Sequence, residues 1–293
     1  MFRSLFRTVF LVACILLVSG CANAQRETLL PTLQPGDSEH TVMVNDLERS
    51  YLLHIPPDIN SQQAVPLVFA FHGWTLRPID LQIMAGFDDL ADQSRYIVVY
   101  PEGVELTWNT AETGFGAANE LDVDESAFVQ EILTDLETMI TIDPKRVYAA
   151  GHSMGGALAY RLACEMSDTF AAIASVAGPM AYSPCQPQRA VSVLHIHGLA
   201  DKDVPFFGGG EHDHPPVNNG IDAWVELDHC PNPIEEKDDK NGITQLTYAP
   251  CQDGTAVELY TSDTGIHPSY SFGRVGIPAT EIIWDFFETH SKR

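Results

Sequence analysis

Three short runs of this chain are apolar at almost every position, residues 65–71, 96–100 and 147–150, and residues 191–196 are predicted as a further strand. A strand with one face in water alternates polar and apolar side chains, so runs without alternation describe strands buried on both faces. Such strands need helices to cover them. Phe128, Ile132, Leu133, Leu136, Met139 and Ile140 recur at helical spacing until Asp143-Pro144 ends the pattern, and residues 157–165 form a second amphipathic stretch. Strands joined through helices run parallel, so the predicted architecture is α/β, a mostly parallel central sheet with helices on both faces. Ahead of it, residues 41–44 and 49–55 are β-type runs joined by Asn45-Asp46, a hairpin signal. Residues 257–261 are predicted as the last strand and 279–290 as the closing helix. No repeat, low-complexity tract or flexible linker divides the sequence, which predicts one domain over residues 40–293.

The first residues read differently. Arg3 and Arg7 precede an apolar run, residues 10–18, that is too short to span a bilayer, the pattern of an export signal. Leu17-Val18-Ser19-Gly20-Cys21 resembles the bacterial lipobox, which predicts a signal over residues 1–20, a tether over 21–39 and Cys21 as the lipidation site. Ala22-Asn23-Ala24 offers ordinary cleavage before Gln25 as the alternative. No Asp follows Cys21, so the lipobox implies an outer-membrane or cell-surface lipoprotein, whereas ordinary cleavage implies a periplasmic or secreted protein. Membrane attachment is expected only through that lipid anchor, because no second long apolar segment follows.

Forty Asp and Glu against sixteen Lys and Arg leave a net charge of −24. That balance argues against nucleic-acid binding and against adsorption to anionic membrane through a basic face. A monomer is expected. Beyond the signal stand Cys164, Cys185, Cys230 and Cys251. Three pairings are open, of which the simplest is sequential, with both gaps 21 residues. No C-x-x-C pair exists, so disulfides fit better than a zinc site.

Chemistry concentrates in Gly151-His152-Ser153-Met154-Gly155. This is G-x-S-x-G between a short apolar strand and an amphipathic helix, the context of a nucleophile elbow. The turn is too tight for Cβ atoms at the two glycines, and it presents the Ser153 hydroxyl at the positive end of a helix. A serine needs an oriented imidazole to take its proton, and in this arrangement the acid and then the histidine follow the serine along the chain. Asp201 and Asp203 both qualify as the acid, on the loop after residues 191–196. His267 follows the last predicted strand and is the best base; His195 and His197 lie too close to the acid, and His290 falls in the terminal helix. Phe71-His72-Gly73-Trp74 ends an early buried strand, where the second donor of an oxyanion hole belongs, so the amides of Trp74 and Met154 are the expected pair. Trp74, Trp108 and Phe115 are candidates to line an acyl or aryl pocket. Glu211-His212-Asp213-His214, flanked by three glycines and two prolines, reads as a surface loop, and no metal or cofactor is expected. Gly36-Asp37-Ser38 imitates the start of a different serine signature but is placed before any strand, and is rejected.

With these residues the sequence resembles the secreted polyhydroxybutyrate depolymerases and their feruloyl-esterase relatives. Similar stretches include Ile142-Asp143-Pro144-Lys145-Arg146-Val147-Tyr148, Tyr160-Arg161-Leu162-Ala163-Cys164-Glu165 and His195-Ile196-His197-Gly198-Leu199-Ala200-Asp201, within a resemblance covering about residues 40–290. The resemblance implies an α/β-hydrolase fold and the Asp of H-G-x-x-D as the acid, which selects Asp201. It also implies the pairs Cys164/Cys185 and Cys230/Cys251. Around His267 the family shows a glycine run and then His-Thr-Trp-Pro, whereas this chain has Gly265-Ile266-His267-Pro268-Ser269-Tyr270, so the pocket wall there must differ. No threonine-rich linker or polymer-binding module stands before Arg293, and soluble esters or oligomers are expected over crystalline polymer. The implied activity is a serine carboxylic-ester hydrolase acting through an acyl-enzyme on hydroxyalkanoate oligomers or polyester-type esters. Feruloyl (aryl) esters of plant or algal walls are the alternative. Readings of another kind are an acyltransferase and a non-catalytic surface-binding lipoprotein.

Overall fold

The computed structural model describes residues 34–60, 63–111, 114–238, 242–267 and 278–293. The export signal, Cys21 and the flank Pro268-Ser269-Tyr270 lie outside these. The chain builds one ten-stranded sheet in the order β1-β2-β4-β3-β5-β6-β7-β10-β9-β8. Its strands are β1 (Gly36–Val44), β2 (Leu47–Ile55), β3 (Val65–Phe71), β4 (Ile97–Pro101), β5 (Ile142–His152), β6 (Ala172–Val176), β7 (Ser192–Gly198), β8 (Ile234–Asp238), β9 (Ile243–Tyr248) and β10 (Val257–Ser262). From β4 through β10 the six central strands are parallel. The outer two at each end are antiparallel, so the sheet is mixed around a parallel centre.

Alternation within the central strands decides which core each side chain joins. Val65, Leu67, Phe69 and Phe71 enter one core; Val68 and Ala70 enter the other. The first core lies under α4 (Glu125–Glu137), α5 (Met154–Glu165) and α6 (Val217–Leu227), and the second under α1 (Pro78–Ala85), α2 (Phe87–Ser94) and α7 (Ala279–Thr289). A four-residue helix, α3 (Ala117–Glu120), sits between β4 and α4. Helices on both faces are what fully apolar strands require. No helix among the described residues is long and apolar enough to cross a membrane.

The expected hairpin forms, with Asn45 at φ 48° and Asp46 at φ 67°, the left-handed pair of a tight two-residue turn. Its first strand starts at Gly36, so Gly36-Asp37-Ser38 opens the edge strand instead of preceding all strands. Asp143-Pro144 does not terminate a helix directly, because α4 ends at Glu137 and β5 already runs through both residues. Strand β6 is not among the predicted elements, nor are α1, α2, α6, β8 and β9. In β6 the cause is composition: Ala172-Ile173-Ala174-Ser175-Val176 has small residues with weak strand preference, yet all five are buried. Both disulfides form in the sequential pairing, Cys164–Cys185 and Cys230–Cys251. They are the bonds of a chain that folds outside the reducing cytosol.

Candidate active site

Strand β5 and helix α5 meet at Ser153, which adopts φ 53° and ψ −119°. A non-glycine residue in that region is strained, and here the strain lifts the hydroxyl clear of the sheet. The flanking glycines make the turn fit. A Cβ on Gly151 would collide with the Gly155 carbonyl, and one on Gly155 with the carbonyl of Phe71 on the neighbouring strand.

Three loops at the C-terminal ends of β5, β7 and β10 bring the polar groups together. The Ser153 hydroxyl donates to His267 Nε2 at 2.9 Å, and His267 Nδ1–H donates to Asp201 Oδ2 at 2.8 Å. Asp201 Oδ1 accepts the amides of Asp203 (3.0 Å) and Val204 (2.9 Å). This decides between the two acids left open by position. Asp203 supplies a backbone donor, and Asp201, whose side chain is fully buried, faces the imidazole. Burial works against ionising Asp201, but the bond to His267 and the Val204 amide outweigh it and hold the carboxyl below its ordinary range.

Trp74 and Met154, whose amides are the expected oxyanion donors, both line the pocket with Ser153. Met154 N is the first amide of α5, without an intrahelical acceptor, and neither it nor Trp74 N finds a backbone acceptor among the described residues. What shapes the Trp74 turn was not legible from the sequence. His72 Nδ1–H donates to Gly73 O at 2.8 Å while its Nε2 accepts the Gly103 amide at 3.0 Å. Burial pushes its pKa down to about 4, so the ring stays neutral with a single tautomer. Trp108 Nε1–H donates to His72 O at 2.8 Å. Trp108 is therefore corrected: it is fully buried against Phe71 and His72, beneath the oxyanion turn, and does not line the pocket.

The pocket itself has a volume of about 590 Å³ and opens onto Ser153 and His267. Trp74 and Phe115 line it, together with Met154 and Ala157. The Glu211–His214 tract does not stand away from the site; it forms part of the wall. His212 stacks on Phe115 with ring centroids 3.9 Å apart and 9° between planes, and meets Trp74 edge-on at 5.5 Å. Among the described residues the groups that converge closely enough to hold a metal ion are Asp37, His54 and Asp88, none of which lines the pocket. Behind the base, His152 bonds the backbone of His267, and burial followed by repulsion from His267 lowers its pKa to about 3. A neutral ring there adds no competing charge beside the imidazolium that proton transfer creates. The rival His290 is tied to Phe286 O at 2.7 Å on α7.

Residues 45–245 match the family model Esterase, described as "Putative esterase". Bifunctional acetylxylan esterase/xylanase XynS20E of Neocallimastix patriciarum is 26% identical over 240 residues, which are 80% of this chain and 32% of that protein. Probable feruloyl esterase C of Aspergillus niger is 28% identical over 266 residues, 86% of this chain and 90% of that one. The chain spans 32% to 52% of the length of the first curated relatives it matches. Among solved structures, an acetyl xylan esterase from Aspergillus awamori superposes with a TM-score of 0.59 at 14% identity, over 86% of this chain and 99% of that one. That likeness carries the fold.

Proposed function

This chain belongs to the Esterase family, and on that premise we propose that it is a serine carboxylic-ester hydrolase that cleaves aryl esters of the feruloyl type through an acyl-enzyme on Ser153. The supporting observation is the aromatic wall of Trp74, Phe115 and His212 beside the Ser153 hydroxyl, within a cavity sized for a small aryl acid. Relatives named feruloyl esterase lend weight to the same reading. His267 takes the Ser153 proton as the hydroxyl attacks the ester carbonyl, and Asp201 fixes the imidazole tautomer and stabilises its charge. The carbonyl oxygen becomes an oxyanion between the amides of Trp74 and Met154. His267 then returns the proton to the leaving alcohol, and a water activated by His267 releases the acid. No step draws on a cofactor.

The substrate reading is tested on methyl ferulate and a 3-hydroxybutyrate trimer side by side, with Ser153→Ala as background. Faster ferulate release is expected. Faster trimer cleavage would overturn the aryl reading in favour of an aliphatic polyester, and acyl transfer to an added sugar exceeding hydrolysis would make the enzyme a transferase. A wild-type rate in Ser153→Ala or His267→Ala would remove the triad itself.

We propose further that the mature chain works outside the cytosol as a monomer, tethered through a lipidated Cys21, with cleavage after Ala24 as the untethered form. The motif over residues 17–21 supports the tether, and the two disulfides support the compartment. Labelling with a radioactive fatty acid in a bacterial host should mark the wild type and not Cys21→Ala.

A further inference from the structure

Two buried histidines next to the catalytic acid have no part in the mechanism above. His195 and His197 project from the same face of β7, both with no solvent exposure. They form the middle of a continuous line: Tyr160 OH to His195 Nδ1 at 2.9 Å, His195 Nε2 to His197 Nδ1 at 2.9 Å, and His197 Nε2 to Val204 O at 2.9 Å. A carbonyl can only accept, so the direction of every bond follows from Val204. His197 must carry its proton on Nε2, which leaves Nδ1 to accept from His195 Nε2–H. His195 Nδ1 then accepts from the Tyr160 hydroxyl. Burial lowers the pKa of His197 to about 4 and holds that of His195 well below its ordinary range, so both rings are neutral, as this directional line requires.

The line joins the two elements whose spacing sets the site. Tyr160 lies on α5, the helix that Ser153 opens, and Val204 lies in the turn that holds Asp201. Val204 is gripped at both backbone groups: its carbonyl accepts from His197, and its amide donates to Asp201 Oδ1 at 2.9 Å. His197 Nε2 also stands 3.7 Å from Asp201 Oδ2, the oxygen that receives His267. We propose that His197, backed by His195 and Tyr160, is a positioning residue that holds the Asp201–Val204 turn so that Asp201 Oδ2 meets His267. The proposal rests on the reading of Ser153, His267 and Asp201 as the triad. Buried polar side chains that merely fill space have no need to end on one of the two residues whose amides hold the acid.

Two substitutions separate the bond to Val204 from the bond to His195. His197→Asn keeps an acceptor for His195 Nε2–H but is too short to reach Val204 O. His197→Gln places a donor where Nε2 was. Turnover is read per active site titrated with a fluorophosphonate, so that loss of folded protein does not count. His197→Asn should lose about 10- to 100-fold in turnover per titrated site at an unchanged KM, the scale of a displacement of about 1 Å, with His197→Gln recovering most of it. Equal turnover per titrated site in wild type and His197→Asn, with only a lower Tm, would reduce the line to a structural role and overturn the proposal. The wild type provides a test without variants. Nitrogen-15 NMR of the imidazoles should show His195 and His197 both protonated at Nε2, unchanged between about pH 5 and pH 8. Either ring protonated at Nδ1 alone would overturn the line. A wild-type rate in Asp201→Asn would instead strike at the triad, independently of His197.

Discussion

A carboxylate that both orients an imidazole and stays ionised must be held on more than one side, and Asp201 has a backbone amide pair on one oxygen and His267 on the other. Asp201→Asn keeps that shape but presents His267 with an amide that can donate, favouring the wrong tautomer. A drop of about 10⁴-fold in kcat is expected, with fluorophosphonate labelling of Ser153 slowed in parallel. His212 makes a different kind of contact. Its ring covers the face of Phe115 at 3.9 Å, where a planar acyl group would otherwise stack. His212→Ala should therefore widen the pocket and change KM ratios between aryl and short acyl esters, leaving kcat on a small acetyl ester within about threefold; interactions with remote substrate parts act on binding when they do not change in the transition state. Equal KM ratios in wild type and variant would remove His212 from specificity.

Elements reach the site through buried charge. Glu125 opens α4 and is buried with Arg49 at 3.1 Å, and its other oxygen accepts the Asn109 amide at 3.1 Å. Arg161 on α5 donates to Asn109 O at 3.0 Å, so the segment leading to the pocket wall at Ala111 and Phe115 is pinned by two helices. Glu125→Ala leaves Arg49 buried without its carboxylate, and a loss of roughly 3–5 kcal/mol in urea unfolding is expected. The end of α6 carries the opposite liability. Asp228 is fully buried, and burial raises its pKa to about 7 despite the hydroxyl of Thr255 at 3.0 Å. Below the unfolded value of 3.8 both states are protonated and Asp228 contributes nothing to the pH dependence. Between there and pH 7 folding must take up a proton, so stability falls as pH rises, and above pH 7 the penalty is complete. Asp228→Asn should thus raise Tm over wild type at pH 8 and lose most of that advantage at pH 4. An equal effect at both pH values would show that the carboxyl does not titrate in this range.

At the scale of the whole molecule, one ten-stranded sheet gathers every site loop at one end of its parallel centre, and two disulfides close the loops beside α5 and α6. Each bridge spans 21 residues of chain and is worth about 3 kcal/mol in the loop-entropy account. Opening one by Cys→Ala pairs should lower Tm by about 6–12 °C in a chain of this size, and a fall of under 2 °C would show the bridge redundant. The architecture, Ser153 and His267 were legible along the chain, because each rests on a local pattern: apolar runs for buried strands, G-x-S-x-G for a strained turn, and chain order for the base, whereas chain order left Asp201 and Asp203 both open as the acid and only the resemblance selected Asp201. Trp108 was misread because an aromatic residue's side of the core is not written in its neighbours; only the packing of the 103–109 loop under His72 turns its indole inward. His212 looked like loose surface for the same reason, since its partners Phe115 and Trp74 are 97 and 138 residues away in sequence. Local chemistry thus determined which residues could react. Tertiary structure alone decided which rings face the substrate and which brace the site, since contacts between distant segments depend on the whole sheet having closed.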